Sequence, residues 1–202
     1  MIFNDIDLRC QQYLTQLYAN LPVATASSIF SKQRQPFTET HGEILFPSMT
    51  KLLSIMALTN QDVFVDLGSG IGKITAQVFL QSNVKEAMGI EIVPHLHQQA
   101  LHAATQLRAQ PLHAIDFSKR KLTFLGGDFL ELPLTMTTVV FINAICFSQT
   151  MLLSLGDIIN RTTSIRQVIT LRPIINLERL PFKKAIHIEC SWDSALCYVY
   201  HA

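Results

Sequence analysis

The feature that most restricts this chain is the run Asp66-Leu67-Gly68-Ser69-Gly70-Ile71-Gly72, which closes a short apolar segment, 62–67, and opens a helical one, 72–82. The first segment has the length and apolar continuity of a strand buried on both faces. Glycines between strand and helix let the backbone reverse sharply and let a ligand come close to it. The helix that follows offers free N–H groups and the positive end of its dipole. Such a turn belongs in an α/β sheet, at the C-terminal edge of a parallel strand, where open sheets of this kind bind ligands.

Spacing separates the ligands that use such turns. A phosphate-binding P-loop requires glycine at 67 and Ser or Thr at 74, but Leu67 and Ile74 stand there. A dinucleotide fingerprint requires a third glycine where Lys73 stands. Glycines at 68, 70 and 72 behind an acid at 66 fit S-adenosylmethionine instead. The turn would seat its amino-acid end: the carboxylate on the helix N–H groups and Lys73, the ammonium on backbone carbonyls and indirectly on Asp66. Two further markers lie at strand ends. Glu91 ends a predicted strand over 86–92 and is placed to accept both ribose hydroxyls. Asp128, in Gly127-Asp128-Phe129, is placed to accept from the adenine amino group, with Phe129 or Ile92 against the base.

The rest of the pattern supplies the frame. A helix begins at Asn4 or Asp5, carries Ile6, Leu14, Leu17 and Leu21 inward, and stops at Pro22. Residues 23–42 read as a loop and 47–58 as a second helix with Pro47 in its first turn. After the glycine turn come strands at 121–126, 138–143 and 166–171, alternating with helices at 94–110 and 148–160, the last stopped by Asn160. Alternation of this kind builds a parallel sheet with right-handed crossovers. The tail departs from it: 185–191 and 195–201, separated by Trp192-Asp193-Ser194, form an antiparallel hairpin. The expectation is residues 1–60 as a helical extension and lid, with 23–46 over the cofactor, and 61–202 as the cofactor-binding core.

With 49% hydrophobic and 15% charged residues, 202 in all, the chain suits one core-rich domain. A net charge of +1 gives no global field for nucleic acid or anionic membrane, though Lys119, Arg120 and Lys121 make a local basic cluster. No run of 18 apolar residues occurs, and the N-terminus does not resemble a secretory signal. The default expectation is therefore a cytoplasmic protein with no membrane partner. Cys10, Cys146, Cys190 and Cys197 lack metal spacing and read as reduced, mostly buried thiols, with Cys190 and Cys197 able to face each other across the hairpin. His95 and His97 lie two apart on one helix and so do not converge; with His102 they read as solvent-facing, and no metal site is expected.

Several segments together resemble a narrower group, the non-SET histone-lysine methyltransferases of the disruptor-of-telomeric-silencing family. His41-Gly42-Glu43 resembles its Tyr-Gly-Glu, and residues 64–72 its cofactor motif. Gly127-Asp128-Phe129-Leu130 resembles its Gly-Asp-Phe-Leu. Residues 140–147 resemble its Val-Asn-Asn-Phe-x-Phe segment. Ser191-Trp192 and Tyr198-Val199-Tyr200-His201 resemble its final hairpin. The resemblance covers about His41 to His201. It implies a Rossmann-like class I methyltransferase sheet, S-adenosylmethionine as cofactor, and methyl transfer to a lysine of a protein. It adds Glu43 and Asn143 to the cofactor residues, makes Asn143 also a shaper of the methyl-transfer site, and makes Phe147, Trp192 and Tyr198 the lining of a lysine channel. Tyr200 is a further candidate aromatic face. His41, Ile44 and Ala144 replace the family's Tyr, Thr and second Asn. With no basic tail and a net charge of +1, the substrate expected is a protein lysine outside the nucleosome. Methylation of a small molecule or another nitrogen, and cofactor binding without catalysis, are the alternatives; the Asn/Asp-Pro-Pro-aromatic motif of amide and base methylases is absent at 143–146.

Overall fold

The computed structural model describes residues 5–21, 43–112 and 115–202. Most of the expected lid, and His41 with Gly42, lie outside the described residues. Strands β1 (Val63–Leu67), β2 (Glu86–Glu91), β3 (Lys121–Gly126), β4 (Val139–Ile142), β5 (Gln167–Thr170), β6 (Phe182–Glu189) and β7 (Ser194–His201) form one sheet in the order β3-β2-β1-β4-β5-β7-β6. The first five are parallel. β7 inserts antiparallel between β5 and β6. The strand order switches sides between β1 and β4, so the crevice where ligands bind such sheets opens above their C-terminal ends.

Helices α1 (Asp5–Ala19), α2 (Phe46–Met56), α3 (Lys73–Gln81) and α4 (Pro94–Ala109) share one core with the sheet face that carries Phe64, Ala87, Leu122 and Phe141. α5 (Gln149–Arg161) is the one described helix on the other face, over Val65, Val140, Ile142 and Val168. The extension and the core expected from sequence thus share a single hydrophobic interior. β1 and β4 are buried at every position, β4 as an unbroken apolar run and β1 apolar but for Asp66. β6 is mostly exposed, as befits an edge strand.

α1 runs antiparallel along α3. Gln81, at the end of α3, donates to Asp7 at 2.7 Å. At the opposite end, Lys73 Nζ stands 5.7 Å from the Tyr18 ring centre. Leu14, Leu17 and Leu21 of the expected apolar face are buried, but Ile6 is 61% exposed, because the first turn of α1 overhangs the core.

The end of the sheet away from the glycine turn is tied by charge. Arg166 donates to both oxygens of Asp62, at 2.9 and 3.0 Å, and Thr59 and Thr138 also bond that carboxylate. Burial pushes the Asp62 carboxyl up, but these donors outweigh it and hold it well below the usual carboxylate range. The basic cluster at 119–121 is not a patch. Arg120 turns inward to the carbonyls of Phe79, Ser82 and Val84 at the end of α3, and Lys119 pairs with Asp116.

Candidate active site

Backbone hydrogen bonds fix the glycine turn onto its neighbour. The N–H groups of Gly68 and Ser69 both donate to the Ile90 carbonyl of β2, at 2.9 and 3.0 Å. Gly70 N–H donates to Glu91 Oε2 at 2.8 Å, while Glu91 Oε1 accepts from Val93 N–H at 2.8 Å. Glu91 is therefore buried and already braces the turn, with a second lone pair on each oxygen for a ligand hydroxyl. Two glycines of the turn do different work. At Gly72, φ is +83° and an added Cβ would lie 2.5 Å from the Phe124 ring, so packing demands glycine. At Gly70, φ is +56° and an added Cβ would meet nothing within 4 Å. The space above Gly70 is open.

Asp66 lies beneath the turn, buried and bonded by Thr75 Oγ1 at 3.1 Å. Burial pushes its carboxyl up to about 7, with Glu91 adding to the rise and the Thr75 bond opposing it. Lys73, the first residue of α3, places Nζ 2.7 Å from both oxygens of Glu43. Glu43 is held in turn by the terminal hairpin: its N–H donates to Ser191 Oγ at 3.0 Å and its carbonyl accepts from Ser191 N–H at 2.8 Å. Ile44 and Cys190 form an antiparallel bridge beside them. Spacing could not reveal this clasp, because its two sides are 148 residues apart.

On the adenine side, Asp128 Oδ1 accepts from Leu130 N–H at 2.9 Å, which leaves Oδ2 for a ligand amino group. Ile92 is 41% exposed and available to an apolar base. Phe129 is buried and stacks on Phe147, ring centres 5.4 Å apart. His97 does not face solvent as expected. Its ring covers Gly126 and its Nδ1 is buried, because α4 packs on β3.

On the acceptor side, Asn143 follows β4, half buried. Phe147 lies over Gly68, where an added Cβ would sit 3.3 Å from its ring. Arg172, after β5, donates to the Phe147 carbonyl and so fixes that loop. Tyr198 is half buried on the α5 face, and Trp192 is 43% exposed on the hairpin turn next to Ser191. Tyr200 is core: its hydroxyl accepts from Ile174 N–H. Cys190 and Cys197 do not face each other, since Cys197 pairs with Ile186. All four cysteines are free, and Cys146, unlike the others, is exposed. Burial pushes the thiols of Cys10 and Cys197 up to about 12 and that of Cys190 to about 11, so these are inert packing groups. Among the described residues no cluster of His, Cys, Asp and Glu is arranged for a metal.

Residues 20–187 match the family model described as "Histone methylation protein DOT1". The chain belongs to the DOT1 family. Curated relatives named "Histone-lysine N-methyltransferase, H3 lysine-79 specific" include one from Caenorhabditis elegans, 30% identical over 59% of this chain and 13% of that protein. Another, from Drosophila melanogaster, is 27% identical over 69% of this chain and 8% of that protein. The DOT1-like chain thus spans a small fraction of these relatives. Among solved structures, an RNA methyltransferase from Salinibacter ruber, in complex with S-adenosyl-L-homocysteine, aligns with TM-score 0.57 and 21% identity over 77% of this chain and 90% of that one. The pyocyanin biosynthetic protein PhzM aligns with TM-score 0.58 and 12% identity over 77% of this chain and 54% of that one. At such identities the likeness is one of fold, and it places this DOT1 member on the Rossmann-like methyltransferase sheet expected from sequence.

Proposed function

We propose that this chain binds S-adenosylmethionine over residues 68–72, 91–92 and 128, and transfers its methyl group to a lysine side chain of a protein. The observation that carries the reading is the open space over Gly70, whose N–H is bonded to Glu91, with Phe147 against the neighbouring Gly68. Those groups suit the cofactor part by part. The zwitterionic amino-acid end has Lys73 and the start of α3 for its carboxylate and Glu43 for its ammonium. The ribose has Glu91, and the adenine has Asp128 and Ile92.

When bound, the cofactor supplies an electrophilic methyl group on a sulfonium. The chain's own part is to exclude water and align the acceptor. Phe147 walls the turn at Gly68. Tyr198 and Trp192 offer aromatic faces that attract a cationic ammonium and its methylated forms. An acceptor lysine enclosed by such rings loses hydration, which lowers its pKa and releases its proton to solvent without a dedicated base. In this reading Asn143 accepts a hydrogen bond from the resulting amine. Family membership and the H3 lysine-79 names of the relatives support a protein acceptor.

Calorimetry with S-adenosylhomocysteine tests the first half. Labelled S-adenosylmethionine, offered with free histones, nucleosomes, other lysine-rich proteins and small amines, tests the second. Label in lysine side chains of a protein supports the reading. Label only in small amines moves the chain to small-molecule methylation, and tight binding without transfer makes it a silent cofactor-binding protein.

A further inference from the structure

Tyr18 stands in α1, just before the segment that matches the family model. Because α1 runs antiparallel to α3, its last turn arrives at the first turn of α3, beside the glycine turn. Leu14, Leu17, Tyr18 and Leu21 share one helical face, and the leucines anchor it in the core. The Tyr18 hydroxyl is nonetheless buried with no hydrogen-bond partner among the described residues. Leaving a buried hydroxyl unpaired is costly, and a partner supplied by a ligand removes that cost. Burial, then the charges of Glu43 and Asp66, push the phenol up, so it remains a donor at any physiological pH. Lys73 Nζ lies 5.7 Å from the ring centre and is bonded to Glu43.

We infer that Tyr18 is a cofactor-binding residue whose hydroxyl donates to the carboxylate of the cofactor's amino-acid end, beside Lys73 and the first N–H groups of α3. This rests on the function proposed above. It assigns α1 a role in recognition as well as in packing, and it makes the amino-acid end, not the adenosine, the part of the ligand that α1 reads. The carboxylate is the only group of the ligand that both Lys73 and a phenol donor favour in its ionised form.

The test compares two ligands that differ in that end. S-adenosylhomocysteine carries the carboxylate; 5′-methylthioadenosine keeps the nucleoside and the thioether and lacks the amino-acid group. Tyr18→Phe should weaken S-adenosylhomocysteine about tenfold in calorimetry, as loss of a charge-assisted hydrogen bond does. It should leave 5′-methylthioadenosine affinity within about twofold, a change too small to represent such a bond. Tyr18→Met, which keeps bulk without a hydroxyl, guards against a folding defect in the first variant and should show the same selective loss. Unchanged affinity for both ligands, or equal loss of both, overturns the assignment while the proposed function stands. A wild-type chain that binds neither ligand overturns both.

Discussion

The two sides of the candidate site are built differently. On the cofactor side the charged groups are already committed to protein partners: Glu91 to Gly70 and Val93, Asp66 to Thr75, Lys73 to Glu43. On the acceptor side the side chains are aromatic and partly open, with Trp192 43% exposed and Tyr198 half buried. A small zwitterionic nucleoside needs fixed donors and acceptors in a preformed cradle. An acceptor arriving on another macromolecule needs surface to land on and little prior order. Mutations should therefore separate the sides: stability and cofactor affinity on one, transfer alone on the other.

The largest effect is expected at Gly72. Gly72→Val drives a branched side chain into Phe124 from a left-handed backbone position, and it should cost several kcal/mol, on the scale of overpacking plus strain. Loss of a cooperative melt, or of soluble protein, is the readout. Gly70→Leu comes next. Its Cβ meets no protein atom, so destabilisation should stay near the roughly 1–2 kcal/mol of the backbone strain, while the side chain fills the cradle. S-adenosylhomocysteine affinity should then fall more than about a hundredfold, a penalty of at least ~2.7 kcal/mol. If Gly70→Leu binds normally, the cradle has been placed on the wrong glycine.

A pH scan sharpens the cofactor side further. The Asp66 carboxyl is raised from its ordinary 3.8 to about 7, so the folded chain keeps a proton that the unfolded chain has released. That contribution is complete below about pH 4, where both states are protonated, and is lost as pH rises through about 7. Stability should fall across that window, and Asp66→Asn should flatten the fall. Asp62 has the opposite sign: its depressed carboxyl contributes stability above its ordinary pKa and loses it in acid, and Asp62→Asn should remove that acid-sensitive part. The smallest change in stability belongs to Trp192→Ala, within about 0.5 kcal/mol for an exposed residue. Transfer should still drop about tenfold, the worth of one lost cation–π contact. A Trp192→Ala variant with full transfer rate would take the hairpin turn out of the acceptor site.

Much of this frame was legible in order. Runs such as 62–67 and 138–143, bounded by turns and alternating with helical periods, gave strands within a residue or two of β1 and β4. The glycine turn was legible because spacing alone excludes its rivals. Other features were not. The stacking of Phe129 on Phe147 joins two residues that the sequence offered separately, one for the base and one for the acceptor channel. Tyr200 looked like a channel wall and is core, because the β7 register turns it under α5. The stop expected at Asn160 falls within one residue of the end of α5, but that the Asn160 side chain bonds Asn176 and Glu178 there was not legible. Tyr18 left only its position on the leucine face as a clue.

What the sequence settled by itself were properties of neighbours along the chain: strand and helix periods, the glycine turn, and the acids that end β1 and β2. These depend on local sterics and on side-chain period, which a string of residues carries in full. Tertiary structure alone decided which distant groups meet: Tyr18 against Lys73, Ser191 against Glu43, and Arg172 against Phe147. Those contacts exist because burial of one shared core sets the order of strands and the antiparallel course of α1 along α3. That burial is a sum over the whole chain that no local window contains.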